Sequence, residues 1–144
     1  YFQALKKIQS KYFIRISSDS PFILHSLINK LSKKALKGSY DIVTNTLKRS
    51  YPKGQSIEIL KNNVYLKNYL KFKKQDLEHV TTYFYRNKKN FNICNVSNKK
   101  NYKLINLSID NKLDYERAIF ISKKLKNNHK LNKIVKLYFQ YEKN

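Results

Sequence analysis

The chain of 144 residues contains one cysteine, Cys94, and neither methionine nor tryptophan. A single cysteine excludes a disulfide within the chain and a cysteine-based metal cluster, and it predicts a reducing, cytoplasmic compartment. With only two glycines and two prolines, the sequence has no flexible linker and no low-complexity segment. No apolar run approaches the length of a membrane span, so we do not expect a membrane partner. We expect one domain, residues 1–144, with its own hydrophobic core.

A natural gene product begins with methionine, and this sequence has none at any position. We therefore expect a processed, trimmed or partial chain. A missing amino-terminal segment would also hide any secretory signal.

Acidic residues are scarce as well. The chain has 9 acidic and 31 basic residues, which gives a formal net charge of +22. Such an excess suggests a polyanionic partner. However, 27 of the basic residues are lysine and only 4 are arginine, the residue that makes bidentate contacts to phosphate and guanine. The lysines are spread along the chain beside 17 asparagines, as an AT-rich genome would favour. We interpret most of this charge as a solvated surface and keep a basic module that binds nucleic acid or another polyanion as an alternative.

Strand-like and helix-like segments alternate along the chain. Short apolar or alternating runs predict strands at residues 12–16, 40–44, 56–60, 91–96 and 103–109. Helical spacing predicts a helix that has Pro21 in its first turn and ends at Gly38. Further helices are predicted at about residues 62–72, 75–87, 110–127 and 130–142. This alternation predicts an α/β sheet covered by helices on both faces.

Two aspartates, Asp19 and Asp110, each lie where a predicted strand runs into a predicted helix. In open α/β sheets, ligands bind outside the carboxyl ends of the strands. A functional aspartate at that edge would hold a hard cation such as Mg²⁺, and two of them could share one ion. The simpler alternative is that Asp110, and either Asp19 or Ser20, only cap the helices that follow them.

Two further groups of residues are candidates for binding. His79, Tyr83 and Arg86 have the spacing of one helix face, which could line an anionic pocket or pack into the core. The loop at residues 45–54 carries Arg49 and Lys53, among others, and loops on a rigid sheet often bind ligands. The sequence has no GxGxxG, P-loop, nucleophile elbow or zinc pattern, and we assign no catalytic acid, base or nucleophile.

Four segments, taken in order, resemble the cytidylyltransferases of the spore-coat polysaccharide biosynthesis type, relatives of the acylneuraminate and Kdo cytidylyltransferases. The segments are RISSDSPFI, YDIVTNTLKRSYPKGQSIEIL, LEHVTTYFYRN and LSIDNKLDYERA, and the likeness runs from about Tyr12 to Leu137. The resemblance implies a glycosyltransferase-A-like, Rossmann-type α/β sandwich, of which this chain would be the C-terminal portion. It also implies transfer of a cytidylyl group from CTP to an unusual sugar, such as a sugar acid, for surface polysaccharide synthesis.

The resemblance also implies roles for individual residues. Asp19 and Asp110 match the aspartates that bind Mg²⁺ in this family. His79 and Tyr83 fall where a helical segment lines the sugar site. Arg49 and Glu58 fall in the loop and strand that shape the sugar-binding half. CTP and the sugar are the implied partners, and a homodimer is a possible assembly.

The sequence also departs from the family pattern. The family begins with a strand and a basic, glycine-containing loop that grips the nucleotide triphosphate, and no segment here matches them. Ser56 stands where an aspartate is usual, and Asn106 stands where an arginine is usual. We therefore expect the activity in a full-length parent and not in this segment alone, and an inactive remnant of the same fold is a further alternative.

Overall fold

A computed structural model describes residues 1–125 and 129–143 of the chain. Four strands form its sheet: β1 (Tyr12–Arg15), β2 (Ile42–Thr44), β3 (Glu58–Lys61) and β4 (Ile93–Asn95). The α-helices are α1 (Phe2–Lys7), α2 (His25–Lys37), α3 (Asn62–Asn68), α4 (Lys74–Glu78), α5 (Thr82–Arg86), α6 (Lys112–Leu125) and α7 (Leu131–Tyr141). Single 3₁₀ turns lie at Tyr69–Lys71 and Lys88–Asn90. Within the two described ranges, no helix is both long and apolar enough to cross a membrane.

The strands form one mixed sheet in the order β1-β3-β2-β4. Strand β3 is antiparallel to both of its neighbours, whereas β2 and β4 are parallel. Strands β1, β2 and β4 therefore run in the same direction, and their carboxyl ends meet at one edge of the sheet. We call this the carboxyl edge. The amino end of β3 lies at the same edge, because β3 runs the opposite way.

Each face of the sheet packs against its own apolar cluster, because successive side chains of a strand point to opposite faces. One cluster joins Val43 and Ile59 to buried side chains of α2, α6 and α7. The other joins Ile42 and Leu60 to aromatic and aliphatic side chains of the segments around α1, α3 and α5. The prediction of an α/β sheet covered on both faces is confirmed, with β3 as the antiparallel member of the sheet.

Helix α2 is predicted well at its carboxyl end and less well at its start. Its apolar stripe is buried, and the helix ends before Gly38, as the spacing indicates. The helix begins at His25, however, and its N-cap is Leu24, with no side-chain capping bond. Asp19, Ser20 and Pro21 lie in the preceding turn, so the alternative in which Asp19 or Ser20 caps this helix is wrong.

The prediction of one helix at residues 75–87 is also wrong. Helix α4 ends at Glu78 and α5 starts at Thr82. Three β-branched residues, 80–82, follow one another here, and such residues lose side-chain freedom in a helix. Val80 and Thr81 are buried, and the Thr81 hydroxyl binds a side chain on β3. Tertiary contacts therefore favour the break.

The segment at residues 103–109 is not a strand. It touches residues 52–54 through one isolated bridge, between Lys53 and Asn106. The segment nevertheless shows the predicted alternation of buried side chains, because Ile105 and Leu107 both pack into the core. A longer ladder is not available, because its partner is a turn with Pro52, which has no N–H group, and a glycine.

The chain ends differ from the predictions in detail. Helix α1 was not predicted. Helix α7 matches the predicted last helix. The helix predicted to open at Asp110 begins at Lys112, and its predicted end near residue 127 lies outside the described residues.

Candidate functional site

The turn after β1 and the segment before α6 meet at the carboxyl edge. The Ile109 N–H donates a hydrogen bond of 2.9 Å to the Asp19 carbonyl. This bond sets the backbones of the two predicted metal ligands, Asp19 and Asp110, beside each other. The two residues are far apart in the sequence, so tertiary structure alone brings their neighbourhoods together.

The Asp110 carboxylate has several donors on one of its two oxygens. Its Oδ2 accepts hydrogen bonds from Lys53 Nζ at 2.7 Å, Ser108 Oγ at 3.2 Å and Asn106 Nδ2 at 3.4 Å. The hydrogen bond from Lys53 is the main reason why the pKa of Asp110 lies below its usual value. Asp110 is therefore anionic at neutral pH and has Oδ1 without a donor among the described residues.

Asp110 does not cap α6, so that alternative is wrong. The capping oxygen belongs to Asn111, whose Oδ1 accepts the Asp114 N–H at 3.0 Å. The Asp114 carboxylate accepts the Asp110 N–H at 3.1 Å, and α6 begins at Lys112, later than predicted. The Asp110 side chain is thus left free of the helix terminus.

Asp19 is half-buried and makes few contacts through its side chain. Its Oδ1 accepts the Ser20 hydroxyl at 2.9 Å, and its carbonyl accepts the Ile109 N–H. Within the described part of the chain, no donor contacts Oδ2. Each of the two aspartates therefore keeps one carboxylate oxygen available at the same edge.

The two carboxylates are donors of the kind that Mg²⁺ takes. Mg²⁺ usually takes one or two protein carboxylates and fills its other positions with water and substrate phosphates. In residues 1–125 and 129–143, no group of three or more His, Cys, Asp or Glu side chains could enclose a metal ion. A site with an all-protein ligand cage is therefore not expected among these residues, whereas a site with two carboxylates, Asp19 and Asp110, agrees with the available oxygens.

Gly54 allows the loop that carries Lys53 to lie against the Asp110 segment. Its φ of +83° favours glycine, and an added Cβ would lie 2.6 Å from the carbonyl carbon of Leu107. The Lys53 N–H and carbonyl bind the Ile105 carbonyl and the Leu107 N–H, both at 2.9 Å. Close backbone packing therefore holds Lys53 next to Asp110.

Two fully buried amides, Gln55 and Asn45, connect the segment between β1 and α2 to the loop between β2 and β3. Gln55 donates to the Phe22 carbonyl at 2.5 Å and accepts the Leu24 N–H at 3.2 Å. Asn45 donates to the Gln55 carbonyl at 2.6 Å and accepts the Ile57 N–H at 2.8 Å. Buried amides with satisfied partners fix one local geometry. The turn after β1 is therefore tied to the loop between β2 and β3.

Arg49 lies in that loop, half-buried, with neutral acceptors only. Its guanidinium donates to Ser56 Oγ at 3.2 Å and to the Pro52 carbonyl at 3.5 Å. In the described ranges, no carboxylate pairs with it. The positive charge of Arg49 is thus available to an anion that approaches the loop.

Glu58 lies at the amino end of β3, and its side chain is only 3% exposed. Its Oε2 accepts Arg15 Nη1 at 2.6 Å. Its Oε1 accepts the hydroxyls of Tyr85 at 2.5 Å, Thr81 at 2.8 Å and Thr46 at 3.2 Å. We call these five residues the Glu58 network. Because donors from four other residues reach its two oxygens, Glu58 holds several segments together at the carboxyl edge.

The Glu58 network also shifts the ionisation of its members. Burial, followed by the negative charge of Glu58, raises the pKa of the Tyr85 hydroxyl well above its usual value. Burial would lower the pKa of Arg15, but the hydrogen bond and charge of Glu58 outweigh it and raise that pKa. The Tyr85 hydroxyl therefore stays neutral and Arg15 stays positively charged at neutral pH.

His79 and Tyr83 have different surroundings: His79 is exposed to solvent, whereas Tyr83 packs against other side chains. His79 is exposed and follows the last residue of α4. Tyr83 packs its ring 5.0 Å from that of Phe72, centroid to centroid, and its hydroxyl donates to Asn68 at 3.4 Å. Their predicted common helix face is wrong, because the helix is interrupted between them.

Arg86 was the third member of that predicted face. Its guanidinium instead donates to both oxygens of the fully buried Asp76, at 2.7 and 3.1 Å. The hydrogen bond from Arg86 lowers the pKa of Asp76. Arg86 therefore neutralises a buried carboxylate.

The sequence analysis missed Arg15 and Tyr85 as members of the candidate site. One signal was present, because Arg15 is one of only 4 arginines and interrupts an otherwise apolar predicted strand. Glu58 likewise stands between two isoleucines of the predicted strand at residues 56–60. Charged residues of opposite sign inside two buried strands are expected to pair. The hydroxyl of Tyr85 gave no comparable signal.

Comparison with known proteins finds a matching fold. No protein-family model matches the chain, and no curated protein matches it either. A solved structure of a cytidylyltransferase from Leptospira borgpetersenii serovar Hardjo-bovis (strain JB197) superposes with a TM-score of 0.85 at 22% sequence identity. The chain has the fold of that structure. The match covers 99% of this chain and 60% of the Leptospira chain, so the present chain spans less than two thirds of it.

Proposed function

We propose that this chain is the sugar- and metal-binding portion of a nucleotidyltransferase that transfers a cytidylyl group from CTP to a sugar acid. The observation that carries the proposal is the meeting of the Asp19 and Asp110 segments at the carboxyl edge of a fold shared with a cytidylyltransferase structure. The resemblance of the four sequence segments supports the same assignment, including a glycosyltransferase-A-like sandwich, a role in surface polysaccharide synthesis, and activity in a full-length parent protein.

In this proposal, Asp19 and Asp110 hold Mg²⁺ through their available carboxylate oxygens. When bound, the ion would neutralise phosphate charge and help to align the phosphate groups. Attack of a sugar hydroxyl on the α-phosphate forms one P–O bond, breaks the bond to the β-phosphate, releases pyrophosphate and passes the hydroxyl proton to solvent. Such a transfer needs orientation and charge stabilisation more than covalent help from the protein.

The remaining residues bind and orient in this scheme. Arg49 offers a guanidinium, without a carboxylate partner in the described ranges, to the anionic group of the sugar or to a phosphate. Glu58 keeps Arg15 and Tyr85 in fixed positions, and this makes the proposed sugar-binding part of the carboxyl edge rigid. His79 and Tyr83 are proposed to approach the sugar from the α4–α5 side.

The test is release of pyrophosphate from CTP in the presence of Mg²⁺ and a panel of sugar acids, using the full-length parent protein. We expect Asp19→Asn to lower the rate by more than about 100-fold, since loss of even an outer-shell partner of a metal costs about 10- to 100-fold. Asp41→Asn is the matched control, because Asp41 pairs with Lys61 at the opposite edge of the sheet. Full activity of Asp19→Asn would refute the metal role, and an inactive wild-type protein would favour a remnant of the fold.

The high positive charge supports a second candidate, a module that binds polyanions. Lys33, Lys34 and Lys37 line a shallow cavity of about 320 Å³ with Tyr40 at the end of α2. Binding through such lysines would weaken steeply as salt is raised. A salt-independent affinity for a DNA or polyphosphate probe, or no affinity at low salt, would exclude this candidate.

A further inference from the structure

Lys53 supplies the positive charge that contacts Asp110 within the described residues. Its ammonium lies 2.7 Å from Asp110 Oδ2. The side chains of Lys53 and Asp110 are 52% and 43% exposed, so water reaches both groups. An ion pair of this kind is weak and exchangeable.

The position of this ammonium follows from the backbone around it. Hydrogen bonds to Ile105 and Leu107 fix Lys53 on both sides of its Cα atom, and the positive φ of Gly54 holds the next residue against the same segment. Only the lysine side chain is free to move. It can therefore leave Asp110 without any rearrangement of the loop.

We propose that Lys53 is an exchangeable counter-ion of Asp110, which competes with a divalent cation for the negative charge of this carboxylate. The inference rests on the proposed metal role of Asp19 and Asp110. A lysine ammonium and a metal ion neutralise the same carboxylate charge, and repulsion between two cations disfavours having both there. The lysine thereby raises the concentration of metal at which the site fills.

The experiment measures the affinity of the full-length parent protein for Mn²⁺, a paramagnetic substitute for Mg²⁺, through the electron paramagnetic resonance signal of the free ion. We expect Lys53→Met to bind Mn²⁺ about two- to five-fold more tightly than the wild type, the range that an exposed ion pair allows. Lys53→Arg keeps the positive charge and is expected to bind as weakly as the wild type. Lys67→Met removes an exposed charge from α3, which begins at the opposite edge of the sheet, and controls for the change in net charge.

The outcomes separate this inference from the proposed function. If the wild type binds Mn²⁺, Asp110→Asn weakens binding and Lys53→Met matches Lys67→Met, the counter-ion role of Lys53 is refuted and the metal site stands. If neither the wild type nor Lys53→Met binds Mn²⁺, both proposals fail. Circular dichroism of each variant checks that the fold is intact, and Lys53→Gln repeats the test with a polar side chain.

Discussion

Replacing Glu58 by glutamine is expected to destabilise the fold strongly. The substitution keeps the size of the side chain but removes the charge that Arg15 and three hydroxyl groups contact within 3.2 Å. Breaking a buried charge pair costs about 3–5 kcal/mol. Because the Arg15 side chain is 24% exposed and can recruit water, we expect the lower end, about 3 kcal/mol. For a chain of this size, that corresponds to a fall in Tm of roughly 6–12 °C.

Urea unfolding followed by far-ultraviolet circular dichroism measures this loss, since the chain has no tryptophan to report it. Glu78→Gln removes the same charge from an exposed position on α4, and its free energy of unfolding should stay within about 0.5 kcal/mol of the wild type. The double variant Arg15→Met/Glu58→Gln should recover part of the loss, because it no longer leaves an unpaired cation. If Glu58→Gln costs no more than Glu78→Gln, the network does not stabilise the carboxyl edge and this reasoning is wrong.

Two further predictions concern the loop beside Asp110 and the acid limb of stability. Gly54→Ala should lower the free energy of unfolding by more than about 2 kcal/mol in the same urea assay, because it adds a Cβ at positive φ against the Leu107 backbone; a neutral effect would show that the loop can move away. The pKa of Asp76 is lowered in the fold, so its stabilising effect is complete above its unfolded pKa of about 3.9 and disappears as pH falls through the folded value. The stability difference between the wild type and Asp76→Asn should therefore shrink when unfolding is measured below about pH 4, and a constant difference would contradict the assignment.

Local sequence patterns predicted the elements whose stability is mostly local. Helix α2 has an apolar stripe with helical spacing and a glycine after its last turn, so its carboxyl end could be predicted closely. The interruption between α4 and α5 could not, because it depends on Thr81 reaching Glu58 across the fold. A bond between residues that are distant in sequence leaves no periodic trace.

The carboxyl edge was anticipated only in outline. The general rule for open α/β sheets singled out Asp19 and Asp110, and the structure brings their backbones together. The rule does not say which residue caps α6, because Asp110 and Asn111 are both good capping residues. It also does not reveal that Lys53 reaches Asp110, since that contact depends on the turn at Gly54.

The order of the strands has a consequence for how the protein is assembled during synthesis. All four strands have left the ribosome once Asn95 emerges from the exit tunnel, so the sheet and the Glu58 network can begin to form while Asp110 is still inside the tunnel. The last third of the chain then brings Asp110, the second carboxylate, to the carboxyl edge of the sheet. Truncation before α6 would therefore remove the second carboxylate together with the helices that cover one apolar face of the sheet, so the product would lose both the candidate site and part of its core.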